Sequence, residues 1–243
     1  MSRAVLVVPV FNEADRFDPH YWIRLRQVTD VGLHFVDDGS TDGSTATLDH
    51  FCAASGSSVR HLDRNVGKAN AVRLGLLDVL ESGSGDPVGF IDADGVFGAD
   101  DVRALLSLID SPELNSFQAF FSSRVALSGR DIDRRTTRHY IGRVVATILS
   151  SSYEPMPYDS QSGLKLFRVS EVLRDCLQEP FETKWFFELE LLIRWRAETG
   201  APMPVWEEPV SSWFDAPGSK ITGWESLRVP REIYRVLSLA RRK

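Results

Sequence analysis

The sequence predicts a single α/β domain with a mostly parallel sheet flanked by helices. Three observations predict it. Short apolar runs alternate with helical patterns through the first half of the chain. The first run, Ala4 to Val10 (AVLVVPV), is apolar on both faces, as a strand inside a parallel sheet must be. Finally, 243 residues, 43% hydrophobic and 26% charged, are enough for one large core, and no linker-like stretch divides them.

The elements follow in order. Ala4 to Val10 is the first strand. Leu33 to Val36 gives a second, with a helix over Thr45 to Ala54 behind it. Val59 to Leu62 gives a third, followed by a helix in which Ala71, Leu74, Leu77 and Leu80 share one side. Val88 to Ile91 is a fourth strand, and Asp100 to Ile109 another helix. Beyond it, Phe117 to Ser122 and Leu164 to Phe167 read as strands, and Thr136 to Leu149 and Trp185 to Arg196 as helices.

Composition narrows the function classes. The formal net charge is −6, yet Lys220 to Lys243 holds seven bases against two acids. An acidic body without a basic, aromatic-interleaved arm argues against nucleic acid as a partner. Charge-free stretches, Leu114 to Ser123 and Val144 to Tyr153 among them, reach at most ten residues, about half of a membrane span. MSRAVLVVPVFNE runs from an apolar strand directly into polar residues without a signal-peptide core, so a cytoplasmic location is expected. Cys52 and Cys176 are widely spaced and read as buried structural thiols rather than a disulfide or zinc pair.

Each of the four early strands runs into a polar cluster, and open α/β sheets bind ligands beyond the carboxyl ends of their strands. The clusters are Pro9, Phe11, Asn12 and Glu13; Asp37, Asp38, Gly39 and Ser40; Arg64, Asn65, Gly67 and Lys68; and Asp92, Ala93 and Asp94. Asp92 and Asp94 are separated by one small residue, so continued strand geometry would direct both carboxylates alike. Such a pair suits a hard divalent cation that keeps positions open for phosphate oxygens; the alternative is a turn or cap before the helix near Asp100. DDGSTDGS at 37 to 44 is likewise compatible with plain capping. Gly67 and Lys68 before a helix permit close phosphate approach, although Leu62 and Ala69 exclude a P-loop.

Taken together, VPVFNE (8 to 13), DDGSTDGS (37 to 44), RNVGKANAVRLG (64 to 75) and DADG (92 to 95) resemble the family-2 glycosyltransferases of GT-A fold, a Rossmann-like architecture. SSR (122 to 124), DSQSGLKLF (159 to 167), WFFELELL (185 to 192) and GSKI (218 to 221) resemble the dolichyl-phosphate glucosyltransferase and polyprenyl-phosphate hexosyltransferase branch. The likeness spans residues 4 to 224 and is weakest between 125 and 157.

The resemblance implies a nucleotide-diphosphate sugar donor, with UDP and glucose expected, and Mg²⁺ or Mn²⁺. By position, Pro9, Phe11, Glu13 and Asp38 would hold base and ribose, with Lys68 nearby. Asp92 would contact ribose or metal, and Asp94 would be the principal metal ligand. Arg124 would stand beside sugar and phosphates. Asp159, with Gln161 next to it, would act on the acceptor, and Ser219 and Lys220 would approach the diphosphate. Val96 replaces the glutamine that a related phosphomannose synthase pattern supplies, so further metal ligands stay unassigned.

The implied reaction is one in-line displacement with inversion. A phosphomonoester acceptor is already nucleophilic at neutral pH, and Asp159 would then orient it; a hydroxyl acceptor needs a base, and Asp159 would serve. The acceptor reads as a polyprenyl phosphate at the cytoplasmic membrane face, reached with a membrane partner protein or through the chain's own basic end. The alternatives are a soluble acceptor and a non-catalytic nucleotide-sugar binding subunit. Residues 1 to 224 form the expected transferase domain. Residues 225 to 243, with Arg228, Arg231, Arg235 and Arg242 against Leu227, Ile233, Val236, Leu237 and Ala240, form a basic amphipathic helix. That helix either packs on the domain or lies on an anionic membrane.

Overall fold

The computed structural model describes residues 4–133, 147, 150, 153–214 and 229–241. Its strands are β1 (Val5–Val10), β2 (Gly32–Asp37), β3 (Ser58–His61), β4 (Val88–Ile91), β5 (Ala119–Ser123), β6 (Asp131–Asp133), β7 (Leu164–Phe167), β8 (Val205–Pro209) and β9 (Ser212–Phe214). Its helices are α1 (Pro19–Thr29), α2 (Ser44–Ser55), α3 (Lys68–Ser82), α4 (Ala99–Ile109), α5 (Glu171–Cys176), α6 (Phe187–Thr199) and α7 (Val229–Arg241). The helix expected over Thr136 to Leu149 lies outside the described residues apart from position 147, as do Arg228, Arg242, Ser219 and Lys220.

One seven-stranded sheet has the order β3-β2-β1-β4-β7-β5-β8, and β6 pairs with β9 in a small second sheet. β1 to β4 run parallel. β7 enters antiparallel between β4 and β5, and β8 pairs parallel with β5. β1 is buried along its whole length because its two faces feed two cores. Val5 and Val7 pack with α3, α5 and α6; Leu6, Val8 and Val10 pack with α1, α2 and α4. Pro9 follows the last β1–β4 pair, Val7 with Phe90, so on that side its missing N–H interrupts no ladder bond.

The structure corrects three expectations. α3 is buried on most of its circumference, with Ala71, Val72, Leu76, Val79 and Leu80 inside and Leu74 and Leu77 only half-buried. A helix lodged against a sheet and α6 side chains has no single apolar stripe. α1 is absent from the sequence reading because only Trp22 and Leu25 of its residues are buried; Asp18 caps it by accepting from His20 N, and Pro19 opens its first turn. β4 ends at Ile91, so strand alternation does not carry through Asp92 to Asp94. Instead the chain turns, with Gly95 at φ 69°. Cys52 and Cys176 are both buried and unbridged, as expected.

Val236 of α7 is fully buried, and Val229, Ile233, Leu237, Leu239 and Ala240 pack against the same core. Glu232 accepts the N–H groups of Lys184 and Trp185, which ties the helix to the start of α6. Among the described residues, no helix is long and apolar enough to cross a membrane.

Candidate active site

The strand order reverses direction between β1 and β4, and open sheets bind ligands at such a point. The loops there are held by backbone-directed hydrogen bonds. Asp37 Oδ1 accepts from Ser40 N (2.9 Å), and its Oδ2 from Thr45 Oγ1 (2.6 Å). Asp42 accepts from Ser44 N and Ala14 N. Asn12 N donates to Ser40 Oγ, and Glu13 N to Ser44 Oγ. The DDGSTDGS segment therefore latches onto the end of β1; α2 starts from Gly43 without a side-chain cap, so Asp37 and Asp42 act as ties within the loop instead of as helix caps.

Asp38 also binds backbone. It is buried, and its two oxygens accept from Val66 N (2.7 Å) and Gly67 N (2.9 Å), fixing the loop that delivers Lys68. Gly39, at φ 68°, lies so close that a Cβ would meet the Arg64 carbonyl carbon at 2.6 Å. Glu13 pairs with Arg16, whose Nη2 lies 2.6 Å from Oε1. Phe11 is half-buried at the same rim, beside the buried Pro9.

Lys68 begins α3, and its Nζ lies 2.5 Å from Asp92 Oδ1. Burial works against this ammonium, but the carboxylates of Asp92, Glu188 and Asp94 outweigh it and hold the lysine above its usual range. Asp94 is pushed up to about 6, first by burial and then by the Asp92 charge. Two adjacent carboxylates, one of them reluctant to ionise, are a donor set that a divalent cation would satisfy. Among the described residues no third His, Cys, Asp or Glu joins them to make a larger metal-binding group.

The second half of the chain brings a denser set of charges to the same region. Arg124, directly after β5, forms a bidentate pair with Asp159: Nε to Oδ2 at 2.8 Å and Nη2 to Oδ1 at 2.7 Å. Arg124 N adds a third bond to Oδ2 at 2.9 Å. The guanidinium also stacks over Trp213 of β9, 5.0 Å from the ring centroid. Both partners are largely buried. The Asp159 side chain is engaged in this ion pair, while its carbonyl accepts from Ser162 N at 3.2 Å in the turn ahead of β7.

Gln161 Nε2 reaches Glu188 Oε2 at 3.4 Å. Lys165 is completely buried between the rings of Phe90 and Phe121, where its Nζ donates to Ser162 O and lies 3.5 Å from Glu188 Oε1. Burial depresses Lys165 and raises Glu188 from their usual values, and each partner's charge opposes the shift of the other. Nothing in the sequence reading singles out Lys165 or Glu188. The available signal is a charge at an inward position of an apolar run, within LKLF and FFELELL.

Gly163 joins the two halves. Its carbonyl accepts from Asp92 N at 2.9 Å, and a Cβ there would fall 2.2 Å from Asp92 Oδ2. Only glycine admits the Asp92 carboxylate in this position. Arg124, Lys68 and Glu188 all feel the Asp92 charge, so residues far apart in sequence make one electrostatic cluster.

Comparison with protein families matches residues 5–164 to Glycosyl transferase family 2. No curated protein matches the chain. Solved structures share the fold. A mannosyltransferase from Pyrobaculum calidifontis, in complex with GDP-Man and Mn²⁺, superimposes with a TM-score of 0.64 at 17% identity, covering 100% of this chain and 65% of that one. Glucosyl-3-phosphoglycerate synthase from Mycobacterium tuberculosis, in complex with Mn²⁺, UDP and glucosyl-3-phosphoglycerate, gives 0.63 at 20% identity, covering 98% and 80%. Mannosyl-3-phosphoglycerate synthase from Rubrobacter xylanophilus gives 0.68 at 16%, covering 98% and 73%. This chain thus spans just under two thirds of the first structure and more of the others. The matched segment runs from β1 into β7 and takes in all four early rim clusters together with Arg124, Asp159 and Gln161, and on that ground the chain belongs to glycosyl transferase family 2, built on the GT-A fold.

Proposed function

We propose that the protein transfers a hexose, glucose by expectation, from a nucleotide-diphosphate sugar, UDP by expectation, to an acceptor with the help of Mg²⁺ or Mn²⁺. The observation that carries the reading is that Asp92, at the end of β4 beside the switch point of the sheet, pairs with Lys68 and bears electrostatically on both Asp94 and Arg124. Asp94 and Asp92 would hold the metal, with further positions left to diphosphate oxygens and water, as Mg²⁺ favours. Bound there, the metal would supply positive charge against the departing diphosphate.

The chain's own residues do the rest. Breaking the bond between sugar and diphosphate builds negative charge on the leaving oxygens, and Lys68 and Arg124 are the cations placed to meet it. Arg124 is pre-oriented by the two parallel bonds it donates to Asp159, so it loses little freedom when it engages. This engagement favours the orienting role for Asp159 over the proton-accepting one. For a hydroxyl acceptor a base is still required, and Asp159 is the one the motif resemblance supplies. Pro9, Phe11, Glu13 and Asp38 build the wall for base and ribose, Asp38 acting through the loop it holds. Displacement with inversion is the expected course.

Of the two acceptors, the structure favours a soluble one, such as a phosphorylated small molecule. The apolar side of α7 is spent on the core instead of facing outward, and the two phosphoglycerate synthases that share the fold are named for soluble acceptors. Polyprenyl phosphate, delivered by a membrane partner, is the second reading, supported by the motif resemblance. Both are tested by nucleotide-diphosphate release from UDP- and GDP-sugars with Mg²⁺ or Mn²⁺. Phosphorylated three-carbon acids are offered in one arm and a detergent-dispersed polyprenyl phosphate in the other. Release stimulated by the soluble acids supports the first acceptor. Sugar recovered in lipid reverses the order, and no release from any donor overturns the reading.

A further inference from the structure

We propose that Glu207 is a positioning residue for the transfer reaction, setting the Arg124–Asp159 pair through the backbone of residues 158 and 159. The inference rests on the transferase reading above. Its physical basis is a continuous chain of contacts. Glu207 lies in β8, paired in register with Phe121 of β5, and β5 runs directly into Arg124. From this fixed platform the Glu207 carboxylate accepts two consecutive peptide N–H groups, Tyr158 N at 2.7 Å and Asp159 N at 2.9 Å, one on each oxygen. Asp159 in turn clamps Arg124 through three bonds.

The arrangement closes a loop of constraints. β5 sets Arg124 and, through β8, Glu207; Glu207 sets the peptide that carries Asp159; Asp159 sets the Arg124 guanidinium. The same segment continues to Ser162, whose hydroxyl bonds Ser122 at 2.5 Å, and to Gly163 against Asp92. Charge-assisted bonds to backbone N–H groups are roughly twice as strong as neutral ones. A carboxylate suits this place because it is acceptor-only and offers one oxygen to each N–H. A glutamine would turn an NH₂ group toward one of the two donors and lose that bond.

A residue that only stabilised the loop would lower activity through unfolding, whereas a positioning residue acts on turnover through Asp159. The wild-type protein is first assayed for nucleotide-diphosphate release with the active donor and acceptor. Glu207→Ala is then expected to lower kcat about 10–100-fold, the range for groups that orient a site's ligands, with donor KM within about threefold of wild type. Glu207→Gln, keeping one bond, is expected to fall between. Amide exchange should accelerate at 158–163 and stay unchanged in β1, β2 and β4. Combined with Asp159→Asn, the Glu207 substitution should add less than about a twofold further loss, since both act on one pair.

Wild-type kcat in Glu207→Ala overturns the proposal. So does a double variant whose losses multiply, or a fall in kcat matched by a rise in KM and a lowered melting temperature. If the wild-type protein shows no turnover, the functional reading fails instead; unchanged exchange at 158–163 in Glu207→Ala would then reject the tether on its own.

Discussion

At the ends of β1, β2 and β3, polar side chains chiefly bind backbone: Asp37 takes Ser40 N, Asp38 takes Val66 N and Gly67 N, and Asp42 takes Ser44 N and Ala14 N. At the ends of β5 and β7 and at the start of α6, polar side chains chiefly bind each other, as Arg124 with Asp159 and Lys165 with Glu188. The first arrangement is a set of stitched loops in which each bond contributes about 0.5–1.5 kcal/mol and the loss of one leaves the others in place. The second is a buried ionic network, in which removing one member strands its partner at a cost of about 3–5 kcal/mol. The rim at β1 to β3 should therefore tolerate substitution better in stability, and the rim at β5, β7 and α6 should couple stability to turnover. Asp92 stands at the junction, bonded through its own N–H to Gly163 and paired with Lys68.

The sharpest break of this comparison is at Asp94. Among the described residues its side chain takes one long 3.4 Å bond, from Val96 N, and it feels the Asp92 charge. Asp94→Ala should lower turnover by about 10³-fold without lowering the melting temperature; Mn²⁺ titration alongside circular dichroism checks both halves of the statement.

Arg124 should behave in the opposite way. Arg124→Ala leaves the Asp159 carboxylate buried without its guanidinium and should destabilise the fold by about 3–5 kcal/mol, read from urea melts. Arg124→Lys keeps the charge but not the fork, and a roughly 10²-fold lower kcat with a smaller loss of stability is expected.

Gly163→Ala tests the junction. The added Cβ collides with the movable end of the Asp92 side chain, so the fold should survive while Mn²⁺ affinity drops about tenfold. Isothermal titration measures it, and unchanged affinity would remove Asp92 from the metal site.

The smallest effect belongs to the stitched side. His61 lies 3.0 Å from both Asp37 and Asp49. Burial opposes its charge, but these carboxylates outweigh it and raise its pKa. A raised histidine contributes stability that is full below the unfolded pKa of about 6.5 and is lost as pH climbs through the folded value. Between pH 6 and 8.5 the wild type should lose on the order of 0.5 kcal/mol relative to His61→Asn, a small figure because the ring is partly solvated. For Asp37, burial raises the pKa, but bonds from Ser40, Thr45 and His61 more than reverse it. Its contribution is therefore present at neutral pH and is lost only on acidification. Urea midpoints for both proteins at the two pH values settle the histidine term.

What was legible in the sequence follows the same division. The four parallel strands and their rim clusters could be read because each signal is local: an apolar run followed within a few residues by turn-forming Asp, Gly, Ser or Asn. Asp92, Asp94, Lys68 and Arg124 stand in motifs that the sequence shows, and the structure brings them into one electrostatic cluster. α1 and β8 were not legible, since α1 shows only Trp22 and Leu25 to the core and β8 is an edge strand, half-buried throughout. Periodicity is a burial signal and fades where burial is partial.

By itself, then, the sequence determined the alternation of strand and helix, the two-faced burial of β1 and the placement of acids and glycines at strand ends, because those depend on neighbours a few residues away. Only the tertiary structure decided that Asp38 holds a loop, that Asp159 grips Arg124, that Lys165 and Glu188 face each other in the core, and that Glu207 reaches the backbone of residues 158 and 159. Those pairings join residues between about 20 and 50 positions apart. They exist because the crossover of the sheet and the antiparallel entry of β7 bring their strands side by side, which no local pattern of residues encodes.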